Sequence, residues 1–194
     1  LIAAARVLKR AWQIYVAHIF LFAIYLAEIS YIAHSFENPL YTEEMGVLNF
    51  LNSPDVTIIE AMLLKFKPVN MDVLPLYIVL LLGFAPFLWL LMRVPTIALL
   101  ASVAIYTLSW LFDWNLPAWP QGVWVFNPFA WQFLFIFGAW CALGGAARLS
   151  RAINSPITLV LAIVYLLFAF GIALTWHIPT LGAFVPSFVG DLIY

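Results

Sequence analysis

Five apolar runs, at residues 12 to 33, 73 to 92, 96 to 112, 128 to 147 and 156 to 176, constrain this chain more than any other feature of its sequence. A helix rises about 1.5 Å per residue, so about 20 apolar residues cross the hydrocarbon of a bilayer. Inside lipid the backbone must satisfy its own hydrogen bonds, and a single run can do that only as a helix. Charge is correspondingly scarce: 9% of the 194 residues are charged and 66% are hydrophobic, too little charge to cover a water-soluble core. The expected fold is an all-α membrane protein, a polytopic helical bundle of about five transmembrane helices in a single domain over residues 1–194. No internal repeat or flexible linker interrupts it.

Local punctuation separates the runs. Arg93 and Pro95 break the second from the third, residues 113 to 125 are rich in Trp and Pro, and residues 148 to 155 are polar. The third run is the shortest. Between the first two lies a polar loop from 34 to 54, followed by DVTIIEAMLLKF at 55 to 66, with Asp55, Glu60 and Lys65 at helical spacing. That segment is too short to cross and predicts an amphipathic interfacial or re-entrant helix, with Ser53 as N-cap and Pro54 in the first helical position.

Charge placement predicts the orientation. Arg6, Lys9 and Arg10 precede the first run, Arg93 follows the second, and Arg148 and Arg151 follow the fourth. These sites share one side of the membrane and no acid accompanies them, so that side is expected to be cytoplasmic, together with the N-terminal end. Glu37, Glu43, Glu44, Asp55, Glu60, Asp72, Asp113 and Asp191 fall opposite, with Lys65 and Lys67, and the segment 177 to 194 falls there too. The net charge of −1 hides this asymmetry, and with no basic stripe nucleic acid is not an expected partner. Cys141 is the only cysteine, which excludes an internal disulfide and a multi-cysteine metal site; it reads as a packed core residue. The chain opens at Leu1 on a basic approach to an apolar run and reads as the middle of a longer protein.

Ionisable groups within a span are costly and so point to function. In the first run these are His18 and Glu28, with Tyr25 between them, expected on one broad flank facing protein or a cavity. His18 has the chemistry of a base or orienting donor, and Glu28 that of a ligand for a hydroxyl or proton. A hydrogen bond to a neighbouring helix explains His18 equally, and snorkelling explains Glu28. At the start of the second run, PVNMDVLPLYI groups Asn70, Asp72 and Tyr77 as a hydroxyl-binding mouth, although helix capping alone explains Asp72. In NPFAWQFLF, Asn127 and Pro128 form a cap and first-position pair, and Trp131 and Gln132 follow one turn later; an amide at that depth needs partners inside the bundle. The two helix N-termini together favour an anionic group. Trp110, Trp114, Trp119 and Trp124 crowd one connection, as an interfacial belt or as a lip that stacks on sugar rings. No nucleophile elbow, phosphate loop or zinc spacing occurs.

The strings LKRAWQIYVAHIFLF (8 to 22), PVNMDVLPLYIVLLL (68 to 82) and WVFNPFAWQFLFIFGAWC (124 to 141) resemble, in order and spacing, the bacterial OpgC-domain proteins of the membrane acyltransferase superfamily. The resemblance implies a multi-pass inner-membrane O-acyltransferase. It would carry a succinyl-type group from cytoplasmic acyl-CoA to hydroxyls of a periplasmic glucan or other envelope polysaccharide. No permanently bound cofactor is implied. Acyl-CoA is the donor, and Arg6, Lys9 and Arg10 are placed to meet its phosphates. His18 and Glu28 are then the candidate catalytic residues, and Tyr25, Asn70, Asp72, Tyr77, Asn127, Trp131 and Gln132 the candidate acceptor-binding residues. The superfamily's early helices, with an Arg-containing opening and an Asn-His pair, would precede Leu1. In this chain eleven residues separate Arg6 from His18, where the superfamily often has ten. The competing class is a transporter or accessory subunit that uses the same polar flank as a solute or proton path.

Overall fold

The computed structural model describes residues 2–36, 40, 43 and 45–177, with the side chains of 151, 176 and 177 excepted. Glu37, Glu44, Asp191 and the segment 178–194 lie outside the described residues. The chain is an all-α membrane protein, with no strand among the described residues beyond an isolated bridge between Pro117 and Val123. It divides into two compact units, Leu1–Leu143 and Gly144–Tyr194.

The first helix, α1, is Ile2–Ser35, 34 residues or about 51 Å long. It begins ten residues before the predicted run because the basic approach contains neither Gly nor Pro and is rich in strong helix formers. One stripe continues through it: Ala11, Ile14, His18, Phe22, Leu26 and Ile29 recur every three or four residues and are buried. Two short helices follow, α2 at Leu48–Asn52 and α3 at Pro54–Met62. Pro54 occupies the first turn of α3 as expected, but Ser53 makes no side-chain cap. Instead the Thr57 hydroxyl donates to the carbonyls of Ser53 (2.7 Å) and Asn49 (3.1 Å), which ties α3 to α2.

The amphipathic helix stops four residues short of the expected end at 66. Lys65 N–H donates to the Glu60 carbonyl and Leu64 N–H to that of Ala61, the paired bonds of a Schellman turn. The turn puts Leu64 at φ 60°, the left-handed region that glycine usually fills, at a cost of roughly 1–2 kcal/mol. Burial of the Leu64 side chain among Ala11, Ile14, Ile78, Leu81 and Trp124 offsets that cost.

Helix α4 is Val73–Arg93, α5 is Pro95–Leu111 and α6 is Pro128–Trp140. Val94 is extended (φ −143°, ψ 73°), the conformation a following proline imposes, so α4 ends and α5 starts with Pro95 in its first turn. At 17 residues α5 is shorter than the four stretches long enough to span, as expected of the third run. Helices α1 and α4 are antiparallel neighbours: Ala11 and Ile14 cluster with Ile78 and Leu81, and Leu8 and Leu82 line one pocket. Phe135 of α6 meets Tyr77 and Phe84 of α4 edge to face, with centroids 6.1 and 5.1 Å apart. The helix takes in the basic approach to the apolar run, so Arg6, Lys9 and Arg10 are exposed on α1, level with the middle of α4.

Helix α6 continues through a π-helical turn, Cys141–Gly145, into α7, Ala146–Ile153. In the second unit α8 is Pro156–His177, with the Ser155 hydroxyl accepting from Ile157 N–H at 3.3 Å. Four stretches are long and apolar enough to cross a membrane: Ile2–Ser35, Val73–Arg93, Pro128–Ser150 and Pro156–Thr175.

Candidate functional site

His18 lies on the buried stripe of α1 at 1% exposure, between Ile14 and Phe22. Its Nδ1 is buried and makes no hydrogen bond among the described residues. An imidazole nitrogen held in that state costs stability unless something else meets it. The nearest charge to act on it is that of Lys67.

Lys67 belongs to the connection from α3 to α4, flanked by buried Phe66 and buried Pro68. Phe66 is itself held edge to face between Phe22 of α1 and Trp119, with centroids 6.0 and 5.7 Å away. Lys67 is itself only half-exposed. Its ammonium sits 4.0 Å from the centre of the Trp124 ring and donates to the Leu64 carbonyl at 3.4 Å, leaving donor capacity unused. Burial lowers its pKa to about 8 from the ordinary 10.5, and the Asp72 carboxylate pulls it partly back. Asp72 is raised, first by burial, with Lys67 and its own backbone N–H opposing. His18, Lys67, Asp72 and the Trp124 face therefore form one half-buried polar cluster where α4 begins, walled by apolar side chains.

The residues singled out in the sequence divide around this cluster. Tyr25 stays near the His18 side of α1, about 20° round the helix, while Glu28 is turned about 80° away and is exposed. The Tyr25 hydroxyl is buried and without a hydrogen bond among the described residues. Asp72 holds the N-cap position of α4, but its backbone is already helical (φ −78°, ψ −26°) and its side chain caps nothing; it serves Lys67 instead. Asn70 is exposed in a left-handed turn at φ 66°, a conformation its short amide side chain tolerates. Tyr77 and Trp131 are partly exposed, packed on Phe135 and Phe126.

Asn127 caps α6 as expected, accepting from Phe129 N–H at 2.9 Å and donating to the Trp114 carbonyl at 2.6 Å. Gln132 finds the partners an intramembrane amide requires. It accepts from the Ser102 hydroxyl at 2.7 Å and donates to the carbonyls of Ser102 (2.8 Å) and Phe129 (3.1 Å), joining α5 to α6. The four tryptophans separate. Trp124 is buried and Trp119 packs on Phe66, whereas Trp110 and Trp114 are exposed.

Lys67 is the member the sequence reading passed over as an ordinary loop base. Its signal lies in FKP at 66 to 68, a lone cation between a large apolar residue and a proline. Among the described residues no three His, Cys, Asp or Glu side chains gather as a metal site requires.

A protein-family profile described as OpgC protein matches the chain over residues 1–194. No curated protein and no solved structure matches it.

Proposed function

This chain belongs to the OpgC family, and from that premise we propose that it is a membrane-bound O-acyltransferase of glucan modification. In this reading it transfers a succinyl-type acyl group from cytoplasmic acyl-CoA to hydroxyls of a periplasmic glucan or related envelope polysaccharide, in the bacterial inner membrane. The N-terminal end then faces the cytoplasm, and the end of the bundle bearing Lys67 and Trp124 faces the periplasm.

The observation that carries the reading is a buried His18 Nδ1 without a hydrogen bond among the described residues, in a helix packing whose half-buried cation, Lys67, is held on the Trp124 ring. Acyl transfer needs a base for the acceptor hydroxyl and a positive group for the oxygen that gains charge. His18 Nδ1 takes the hydroxyl proton as the hydroxyl oxygen attacks the thioester carbonyl carbon. Lys67 holds the oxyanion of the tetrahedral intermediate, with Asp72 and the Trp124 face keeping the ammonium in place. The C–S bond then breaks, and the leaving thiolate recovers the proton from His18. Arg6, Lys9 and Arg10 serve the donor's phosphates. They stand level with the middle of α4, and in this reading, where α4 spans the bilayer, a cation there needs water, protein or an anion as its partner.

The test is mass spectrometry of glucans from cells making the full-length protein, its His18→Ala variant or neither. Acyl groups present with the wild type and absent with the other two are expected. Unchanged acylation with His18→Ala removes His18 from the chemistry, and unchanged glucans without the protein remove the acceptor assignment.

A further inference from the structure

A second polar feature sits where α5 ends and α6 begins: a cavity of about 280 Å³ lined by Tyr106, Ser109, Trp110, Asp113, Asn115 and Asn127, among others. Ser109, 3% exposed, lies in its depth and donates to the Tyr106 carbonyl at 2.8 Å, so its oxygen remains free to accept. Both amides are held from behind. Asn115 bridges Trp124 C=O (2.7 Å) and Leu116 N–H (2.8 Å), and Asn127 bridges Trp114 C=O and Phe129 N–H. The wall is therefore preorganised. Trp110 also lines it and is 76% exposed, its indole covered by no other part of the described chain.

Asp113 makes this more than a polar crevice. It closes α5 in a Schellman turn, with Trp114 N–H donating to the Ser109 carbonyl, and it adopts φ 50° there. Glycine would hold that turn with less strain, and a carboxylate at a helix C-terminus faces the negative end of the helix dipole. Aspartate tolerates the left-handed turn, but its charge opposes the dipole, and a residue that is electrostatically unfavourable where it stands is the pattern of a position occupied for binding. It is also the only charged side chain in the lining, so the cavity repels anions, the acyl donor included.

We propose that this cavity is the acceptor subsite, taking one neutral pyranose ring of the polysaccharide with its C–H face on Trp110 and its hydroxyls on Asp113 and Ser109. Stacking on indole and charge-assisted bonds from hydroxyls to a carboxylate suit that ligand class. The subsite adjoins the reactive cluster through one residue: the carbonyl of Trp124 is held by Asn115, while its ring carries Lys67. The assignment rests on the acyltransferase reading for its role, but not for its binding.

Binding of base-deacylated periplasmic glucan to the full-length protein in lipid nanodiscs, measured by calorimetry, tests it without turnover. Trp110→Ala and Asp113→Asn should each weaken glucan binding about tenfold, with the KM for acyl-CoA unchanged. Asp113→Gly suits the turn, so it should unfold at the same temperature or higher and still lose affinity. Wild-type glucan affinity in Asp113→Gly and Trp110→Ala overturns the proposal, as does Asp113-dependent capture of a cationic peptide in place of glucan. Asp113-dependent binding in a protein that transfers no acyl group would sustain the subsite and remove the enzyme reading alone.

Discussion

The ammonium of Lys67 lies 4.0 Å from the centre of the Trp124 ring, so the connection before α4 and the connection before α6 are joined by a cation held on an indole face. Neither segment has a reason to be near the other in the sequence. The contact holds in place a half-buried lysine with unused donors, whose charge acts on the buried His18 of α1.

Lys67 titrates near 8 because burial disfavours its charge. If the cation stabilises the oxyanion, transfer should fall as pH rises through about 8. Lys67→Arg, which keeps the charge, should move that limb to higher pH, and Lys67→Met should lose about a hundredfold below pH 8, the gap to the wild type closing above it. A limb left in place by Lys67→Arg would exclude Lys67 as its origin. The same shift has a stability consequence. The folded value lies below the unfolded one, so the burial penalty is complete below about 8 and is relieved as pH climbs from there to 10.5. Lys67→Met should flatten that rise in thermal unfolding.

Gln132 and Ser102 form a two-way link between α5 and α6. Gln132→Leu leaves the buried Ser102 hydroxyl unpaired and should cost about 1–3 kcal/mol in detergent unfolding. Adding Ser102→Ala should recover part of the loss, giving a double-mutant cycle with a coupling of about 1 kcal/mol. Strict additivity would mean the link contributes nothing.

Asn127 has separable duties as cap and as brace. Asn127→Ala should destabilise α6 by about 1–2 kcal/mol. Asn127→Asp keeps the oxygen that accepts from Phe129 N–H and loses the donation to Trp114 C=O, so it should fall between the two. Equal melting temperatures for Ala and Asp would show that the brace, not the cap, carries the effect.

Arg6, Lys9 and Arg10 stand exposed at the level of mid-α4, a depth at which a cation requires water or a polar partner. In a Cys141→Ser background, single cysteines at 6, 9 and 10 should react with charged thiol reagents at rates well above cysteines replacing Leu159 or Leu161. Failure of all three to react would place them against lipid or packed protein instead of an aqueous vestibule.

The helices were legible because their signals are local. Pro95, Pro128 and Pro156 each stand at the first turn of a helix, and the long apolar runs between the breaks admit no other structure in lipid. Asn127 was legible for the same reason, since a cap needs only its own next few residues. Asp72 was half legible: the helix starts where expected, but its carboxylate answers to Lys67 and not to the helix. The end of α3 was misplaced because composition favours helix through Phe66, while burial of Leu64 in a cluster drawn from α1, α4 and the Trp124 loop selects a left-handed turn.

By itself, then, the sequence determined the solvent, the helices and the residue types available for chemistry, all of which follow from hydrophobic periodicity and backbone sterics over a few turns. Tertiary structure alone decided which of those residues meet. The slide of α1 along α4 puts three cations level with the middle of an apolar helix, and the convergence of two connections gives Lys67 its indole and its lowered pKa. Pairings of that kind depend on contacts between segments far apart in the chain, and no local spacing encodes them.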